Sequence, residues 1–187
     1  MTIPGIVDER SHPNHWHNRA SDLHASAGAI WHAMNHSTTV ATDLGLGEGF
    51  SMGVACNPIY HMLCGLALEL VMKATLVKRG VAPADLQTHS FDKLIDLLGI
   101  QVTKKERKLL HFYEASLVWA GRYPIPNKAT DEALIKYWDL AGDILSEPVK
   151  TLGSLTLSHS SGTTNWENFT KLWTGYSAMF YEAGGKA

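Results

Sequence analysis

Two charged residues lie in the interior of the most apolar stretch of the chain, residues 57–80, before the Lys78-Arg79 pair at its end. On a helix of 3.6 residues per turn, Glu69 and Lys73 are one turn apart and project at the edge of the main apolar arc. Because a buried charge is costly unless it is paired, we expect the two side chains to bind each other or a further charged group such as Arg122. The alternative is an ordinary lysine that extends its ammonium group to solvent, with the glutamate at the rim of the core.

Histidines offer a second kind of chemistry, and six of the ten precede residue 37. His32 and His36 are one helical turn apart, a spacing that allows both imidazoles to bind one metal ion. No HExxH pattern or evident carboxylate ligand accompanies them, so exposed or hydrogen-bonded histidines are the simpler interpretation. Farther along, Arg107, His111 and Glu114 share one face of a predicted helix, which is typical of an ordinary solvated face.

The composition limits the classes of function. The chain has 187 residues, 45% of them hydrophobic, and a net charge of -2, which predicts one domain with a substantial core and gives no whole-chain signal of nucleic-acid binding. The charge is unevenly spread, however. Residues 73–108 hold eight Lys or Arg against four acids, whereas residues 1–72 hold two against six, so a local basic face is compatible with the sequence.

The cysteines and the N-terminus indicate a cellular compartment. Cys56 and Cys64 are the only cysteines and lack a CxxC spacing, so neither a disulfide framework nor a cysteine-based zinc site is expected. The first residues lack the pattern of a signal peptide, and no apolar run reaches about 18 residues without a charge. We therefore expect a cytoplasmic protein with no membrane partner and no cofactor.

Helical periodicity and end signals predict a series of helices after a polar N-terminal arm, residues 1–20. The central helix begins at Asn57 with Pro58 in its first turn and ends at Gly80. Because it is apolar nearly all round, the other helices must wrap it. The other predicted helices are 21–35, Thr88 or Ser90 to Gly99, 103–120 with a Thr103–Glu106 capping box, 130–150 and 165–182. No stretch shows convincing strand alternation, so the expected fold class is all-α, an up-and-down helical bundle with additional N-terminal and C-terminal helices.

The segments between the helices carry weaker signals. Residues 37–56 contain a glycine-rich run that resembles part of a phosphate loop, but the preceding strand and the full motif are missing, so a plain loop is expected. Two prolines in residues 122–127 fix Arg122 at a helix C-terminus, where it either caps the last carbonyls or faces a shared polar site. Residues 154–164 are a Ser/Thr/Gly-rich link. The last helix carries a stripe that is either core or a partner surface: Trp166, Phe169, Leu172, Trp173, Tyr176 and Phe180.

Several short features occur in the order found in a known family: LALELVMKATLVKRG, THSFDKLIDLLG, LVWAGRYPIP and TDEALIKYWDLAGDIL. Over residues 57–150 the chain resembles the HEPN domain, in particular its subgroup with an Arg-Tyr-Pro turn between the later helices. The resemblance implies a small helical bundle, commonly a homodimer, that binds nucleotides or acts on RNA, often in toxin-antitoxin or phage-defence settings.

The resemblance also implies a ligand-binding site. Glu69 and Lys73 match the charged pair of the family's first core helix, and His89 matches a histidine at the start of the following short helix. Arg122 and Tyr123 match the Arg-Tyr-Pro turn. The resemblance therefore implies that these five residues bind the ligand.

One feature of the ribonuclease members has no counterpart at the matched position. Those members place an Arg and a His four to six residues apart near the bundle centre, so that the His can act as acid and base while the Arg stabilises the phosphorane charge. No His follows Arg122 at that distance, and Arg107 and His111 have only three residues between them. Two pairs with four intervening residues precede the matched region: Arg10 with His15, and Arg19 with His24.

Three functions are compatible with these patterns. A non-catalytic module that binds a nucleotide, RNA or another anion requires Lys73, His89 and Arg122 to converge on one cleft. A metal-independent ribonuclease requires an exposed Arg-His pair, either Arg107 with His111 or an N-terminal pair. A helical interaction protein requires the aromatic last helix to lie on an interface with a partner protein or a second copy.

Overall fold

A computed structural model of the chain describes residues 5–126, 130–152 and 155–183. The elements are α1 (Ile6–Arg10), α2 (Pro13–Asn35), α3 (Ser37–Asp43), α4 (Met52–Lys78), α5 (Phe91–Leu98), α6 (Lys104–Ala115), α7 (Asp131–Leu145), β1 (Ser146–Leu152), β2 (Leu155–Ser160) and α8 (Trp166–Glu182). A π-helical turn extends α6, and a 3-10 turn precedes α5. The predicted all-α helical bundle is confirmed. Asn127, Ser154 and the first four residues of the predicted arm lie outside the described ranges.

Helix α4 is the central element and packs against α2, α5, α6 and α8. It begins six residues earlier than predicted, because Ser51 rather than Asn57 is its N-cap, and Pro58 lies inside the helix. The N–H group of Met52 donates to the hydroxyl of Ser37 at 2.8 Å. A tertiary contact with α3 thus satisfies one of the free N–H groups at the start of α4, a contact that no local sequence signal reveals.

The same helix is long and apolar enough to cross a membrane by length and composition alone, with a mean hydropathy of 1.4 over its most apolar 18-residue window. The core helix of a soluble protein passes the same test, and α4 is the helix that the others cover. Helix α4 ends at Lys78 and is followed by Gly80 at φ 91°, which confirms the predicted stop. The cytoplasmic location stays a prediction.

The N-terminal region is more helical than predicted. Helix α2 begins at Pro13, eight residues before the predicted start at Ser21, so part of the expected arm is helix. His12 caps α2 through its side chain. Residues 37–43, predicted as part of a connector, form α3, while the glycine-rich run that follows is an exposed loop, as predicted.

The region after α7 corrects two predictions. The predicted helix 130–150 ends at Leu145, whose carbonyl accepts a hydrogen bond from the N–H group of Ser161 at 2.9 Å. The chain then forms β1 and β2, an antiparallel pair, so the expectation of no strands is wrong here. Their register is interrupted next to Pro148, which has no N–H group to donate.

The aromatic stripe of α8 faces inward. The His24 ring on α2 stacks between Trp166 and Trp173, with ring centroids 4.7 Å and 4.2 Å away. At the C-terminal end of the stripe, the Phe180 ring stacks on the His17 ring of α2, with their centroids 4.3 Å apart. The interpretation of these rings as core is therefore confirmed. Their use as a partner surface stays a prediction.

Three histidine rings each contact a hydroxyl group of the C-terminal segment: His17 with Ser177 (2.9 Å), His24 with Thr170 (3.5 Å) and His61 with Thr164 (3.1 Å). Burial lowers the pKa of all three imidazoles, that of His61 to about 4. At His17 the nearby Lys78 ammonium group lowers the pKa further. The three rings are therefore packed as neutral groups between the C-terminal segment and α2 or α4.

We expect the free energy of unfolding to fall as the pH drops from 6.5 toward 4. Unfolded histidines take up protons near pH 6.5, whereas the folded ones resist until lower pH, so this stabilisation is complete above pH 6.5 and is lost below it. His61 alone contributes about 3 kcal/mol to the loss. Urea denaturation at pH 7.5 and 4.5 should show a smaller pH effect for His61→Gln than for the wild type or the exposed control His32→Gln. Equal pH effects in all three proteins would contradict this expectation.

Candidate functional site

The expected buried ion pair is present on α4. The Lys73 ammonium donates to Glu69 Oε1 at 2.7 Å, and both residues are buried, at 6% and 3% exposure. The second oxygen, Glu69 Oε2, accepts a hydrogen bond from His89 Nδ1 at 2.8 Å. Pairing is confirmed, and the alternative of a solvent-exposed lysine is wrong. We call Glu69, Lys73 and His89 the α4 triad.

His89 is held on the edge of the site by the start of α5. The backbone N–H of Phe91, the first residue of α5, donates to Glu114 Oε2 at 2.8 Å, and the Phe91 ring is fully buried. Because Nδ1 of His89 is bound by Glu69, its Nε2 atom is the one left for a ligand, and 62% of its side chain is exposed. An imidazole whose tautomer is fixed by a carboxylate can donate, accept or transfer a proton at the other nitrogen.

The Arg107 and His111 side chains meet at one carboxylate. His111 Nε2 donates to Asp92 Oδ2 at 2.9 Å, and the Arg107 guanidinium binds Oδ1 of the same residue. Burial tends to raise the pKa of Asp92, but the His111 hydrogen bond and the two neighbouring charges outweigh burial, so its pKa lies below the ordinary value. The predicted solvated face of α6 is thus a contact that fastens α5 to α6, although all three side chains stay about two-fifths exposed.

Arg122 and Tyr123 lie away from the α4 triad. Gly121 packs against Met62 and the carbonyl of Pro58, so the Arg-Tyr-Pro turn abuts the N-terminal half of α4. Met62 precedes Lys73 by eleven residues, which is about 16 Å along a helix axis. The exposed Arg122 guanidinium donates to the carbonyl of Val118, and therefore caps the extended end of α6, the first of its two predicted roles.

Tyr123 also lies at the surface, next to Arg122. Its ring is 52% exposed, and the Arg122 guanidinium lies 5.3 Å from the ring centroid. The cleft expected from Lys73, His89 and Arg122 therefore does not form within the described residues, because only the first two come together.

His32 and His36 are neighbours at the exposed end of α2. Their rings stack with centroids 4.0 Å apart, and His36 Nδ1 donates to the carbonyl of His32 at 2.9 Å. In the described part of the chain, no group of three or more His, Cys, Asp or Glu side chains is arranged to hold a metal ion. Because His36 Nδ1 already binds the backbone carbonyl of His32, that nitrogen cannot bind a metal ion in this conformation.

A second candidate site has a mostly apolar lining with several charged side chains, and only its Arg10–His15 pair was singled out from the sequence. Arg10 at the end of α1 and His15, Trp16 and Arg19 on α2 line a cavity of about 240 Å³ over Leu70 of α4. We call this cavity the basic pocket. The Arg10 to His15 spacing was visible in the sequence, but only the early start of α2 brings His15, Trp16 and Arg19 onto a helix and next to α4.

Asp22 does little to neutralise Arg19 of the basic pocket. The closest approach of Arg19 to Asp22 is 3.9 Å, and each side chain is 70% exposed, so this pair is weak. Arg10 and Arg19 are the only Lys or Arg residues before Lys73 in the sequence, and both line this one cavity. The floor residue, Leu70, directly follows Glu69 of the α4 triad.

Comparisons with known proteins do not assign the chain to a family. No protein-family model matches the chain, and no curated protein or solved structure matches it either. The chemistry of the two candidate sites is therefore the basis for a functional conclusion.

We expect Glu69→Gln to lower the free energy of unfolding by about 3–5 kcal/mol, because it leaves the Lys73 ammonium buried without an anion. The double variant Glu69→Gln with Lys73→Met should recover part of the loss, since both charges are then gone. Chemical denaturation at pH 7.5 measures both values. A double variant that is no more stable than Glu69→Gln alone would show that the buried charge is not the cause.

Proposed function

We propose that the protein is a non-catalytic, HEPN-like module that binds a nucleotide or a short RNA, with one phosphate and part of a base at the basic pocket. The observation that carries the proposal is the set of groups in one cavity: the guanidinium groups of Arg10 and Arg19, the imidazole of His15 and the indole of Trp16. The resemblance of residues 57–150 to the HEPN domain supports the same ligand class.

Each group in the pocket has a matching part in a nucleotide. A guanidinium group presents parallel N–H donors that fit two phosphate oxygens at once. An indole ring offers a flat apolar face for a base, and such stacking contributes about 1–3 kcal/mol per base. The only two arginines in residues 1–72 both line this cavity. Within that part of the chain, an anion is therefore attracted more strongly to this cavity than to any other surface.

The α4 triad supports the pocket from below. Leu70 forms the pocket floor, and the neighbouring Glu69 is fixed on two sides by Lys73 and His89. These hydrogen bonds restrain the turn of α4 next to Leu70, and a site restrained before binding has a lower entropic cost of binding. A homodimer and a toxin-antitoxin or defence setting remain part of the proposal.

We expect ATP, GTP, their monophosphates or a short RNA to raise the melting temperature of the wild type in a saturable way. A ligand at a hundredfold excess over its dissociation constant stabilises the folded state by about 2.7 kcal/mol. Arg19→Ala should weaken this shift at least tenfold, whereas the exposed matched control Arg122→Ala should keep it. Loss of the shift in Arg122→Ala but not in Arg19→Ala would place the ligand at the Arg-Tyr-Pro turn, and the absence of any shift would refute ligand binding.

One observation favours a second candidate function, a metal-independent ribonuclease. Arg10 and His15 have four residues between them and line the same cavity, so an imidazole for proton transfer lies near a guanidinium for the phosphorane charge. In this case RNA should be cleaved in the presence of EDTA, and His15→Ala should abolish cleavage while His32→Ala does not. Binding without cleavage would leave the non-catalytic module as the function.

A further inference from the structure

We propose a separate binding site for an amine with a hydrocarbon body in the groove between α6 and α8. Two adjoining cavities of about 360 Å³ and 430 Å³ form this groove, and both are lined by Glu106 and Leu172. Their volumes lie within the range of small-molecule sites. The first cavity is mainly apolar, lined by Ile100, Val102, Leu172, Tyr176 and Met179 among others.

Glu106, at the start of α6, does not make the backbone hydrogen bond that is usual for a capping-box glutamate. In a capping box the glutamate at this position bonds back to the backbone of the capping threonine. Here Thr103 Oγ1 accepts the N–H of Glu106 at 3.1 Å, but Glu106 Oε1 accepts the hydroxyl proton of Tyr176 at 2.6 Å instead. No described residue donates to its other oxygen, Oε2. A fixed carboxylate with one free oxygen thus lies where the two cavities meet.

No described Lys or Arg side chain forms an ion pair with Glu106. The Lys171 ammonium is bound by Glu167 at 2.7 Å. The second cavity holds Lys105 and a further carboxylate, that of Glu147. A primary ammonium group would bind Glu106 Oε2, and its hydrocarbon part would cover Leu172 in the apolar cavity.

Gly175 provides an independent observation. It lies within α8, where glycine is less favourable than alanine by about 1 kcal/mol, and lines the apolar cavity. A Cβ atom added there would meet no atom within 4 Å, and its φ is not positive, so neither packing nor backbone conformation requires a glycine. Gly175 and Glu106 line the same cavity, and the missing side chain leaves that cavity uncovered at Gly175.

The experiment titrates the full chain with hexylammonium chloride and, separately, with hexan-1-ol, following the side-chain methyl NMR signals of Leu172 and Met179. We expect saturable shifts with hexylammonium and at least tenfold weaker binding of hexan-1-ol, because the alcohol lacks the charge. Glu106→Gln, which still accepts the Tyr176 hydrogen bond, should weaken hexylammonium binding at least tenfold.

Two glycine variants separate the groove from a general effect on folding. Gly175→Leu should fill the cavity and abolish binding without lowering the melting temperature. Gly142→Leu, at a helical glycine of α7 that is equally open, is the matched control and should bind as the wild type does. Equal binding of the alcohol and the amine, unchanged binding in Gly175→Leu or Glu106→Gln, an equal loss in Gly142→Leu, or no saturable shift would each overturn the proposal.

Discussion

The buried ion pair of Glu69 and Lys73 is the constraint on which the rest of the structure depends. Two charges in the central apolar helix are tolerable only while every oxygen of the carboxylate is paired, because desolvation costs several kcal/mol per ion. The ammonium occupies one oxygen, so the second requires a donor from elsewhere in the chain, and His89 supplies it. This requirement brings the start of α5 to α4 and makes the position of His89 a consequence of charge pairing.

The polar contacts continue outward from that point. Glu114 accepts the first N–H of α5, and Asp92 joins α5 to Arg107 and His111 of α6. On the other side of α4, α2 and α8 close the core through stacked histidine and aromatic rings. The outcome is a rigid central helix whose outward turn, at Leu70, forms the floor of a cavity with two arginines.

Spacing along one helix could be predicted from the sequence, whereas contacts between helices could not. The Glu69–Lys73 pair follows from a four-residue separation, the stop at Gly80 follows from local signals, and capping was one of two roles predicted for Arg122. The early start of α4 at its N-cap Ser51 is accompanied by a hydrogen bond to a hydroxyl group of α3 fifteen residues away. The basic pocket likewise combines residues of α1, α2 and α4. In the groove, Glu106 of the predicted capping box binds Tyr176 of α8 instead of the backbone. Neither site could be predicted from a pattern within one helix.

The most direct test of the central claim, that an anionic nucleotide binds between Arg10 and Arg19, is fluorine NMR of the protein labelled with 5-fluorotryptophan. The chain has six tryptophans, and Trp16→Phe assigns the signal that belongs to the pocket. We expect AMP to shift the Trp16 resonance in a saturable way and to leave that of Trp119, near the Arg-Tyr-Pro turn, unchanged. A saturable shift of Trp119 with none at Trp16 would contradict it, as would a spectrum that AMP does not alter.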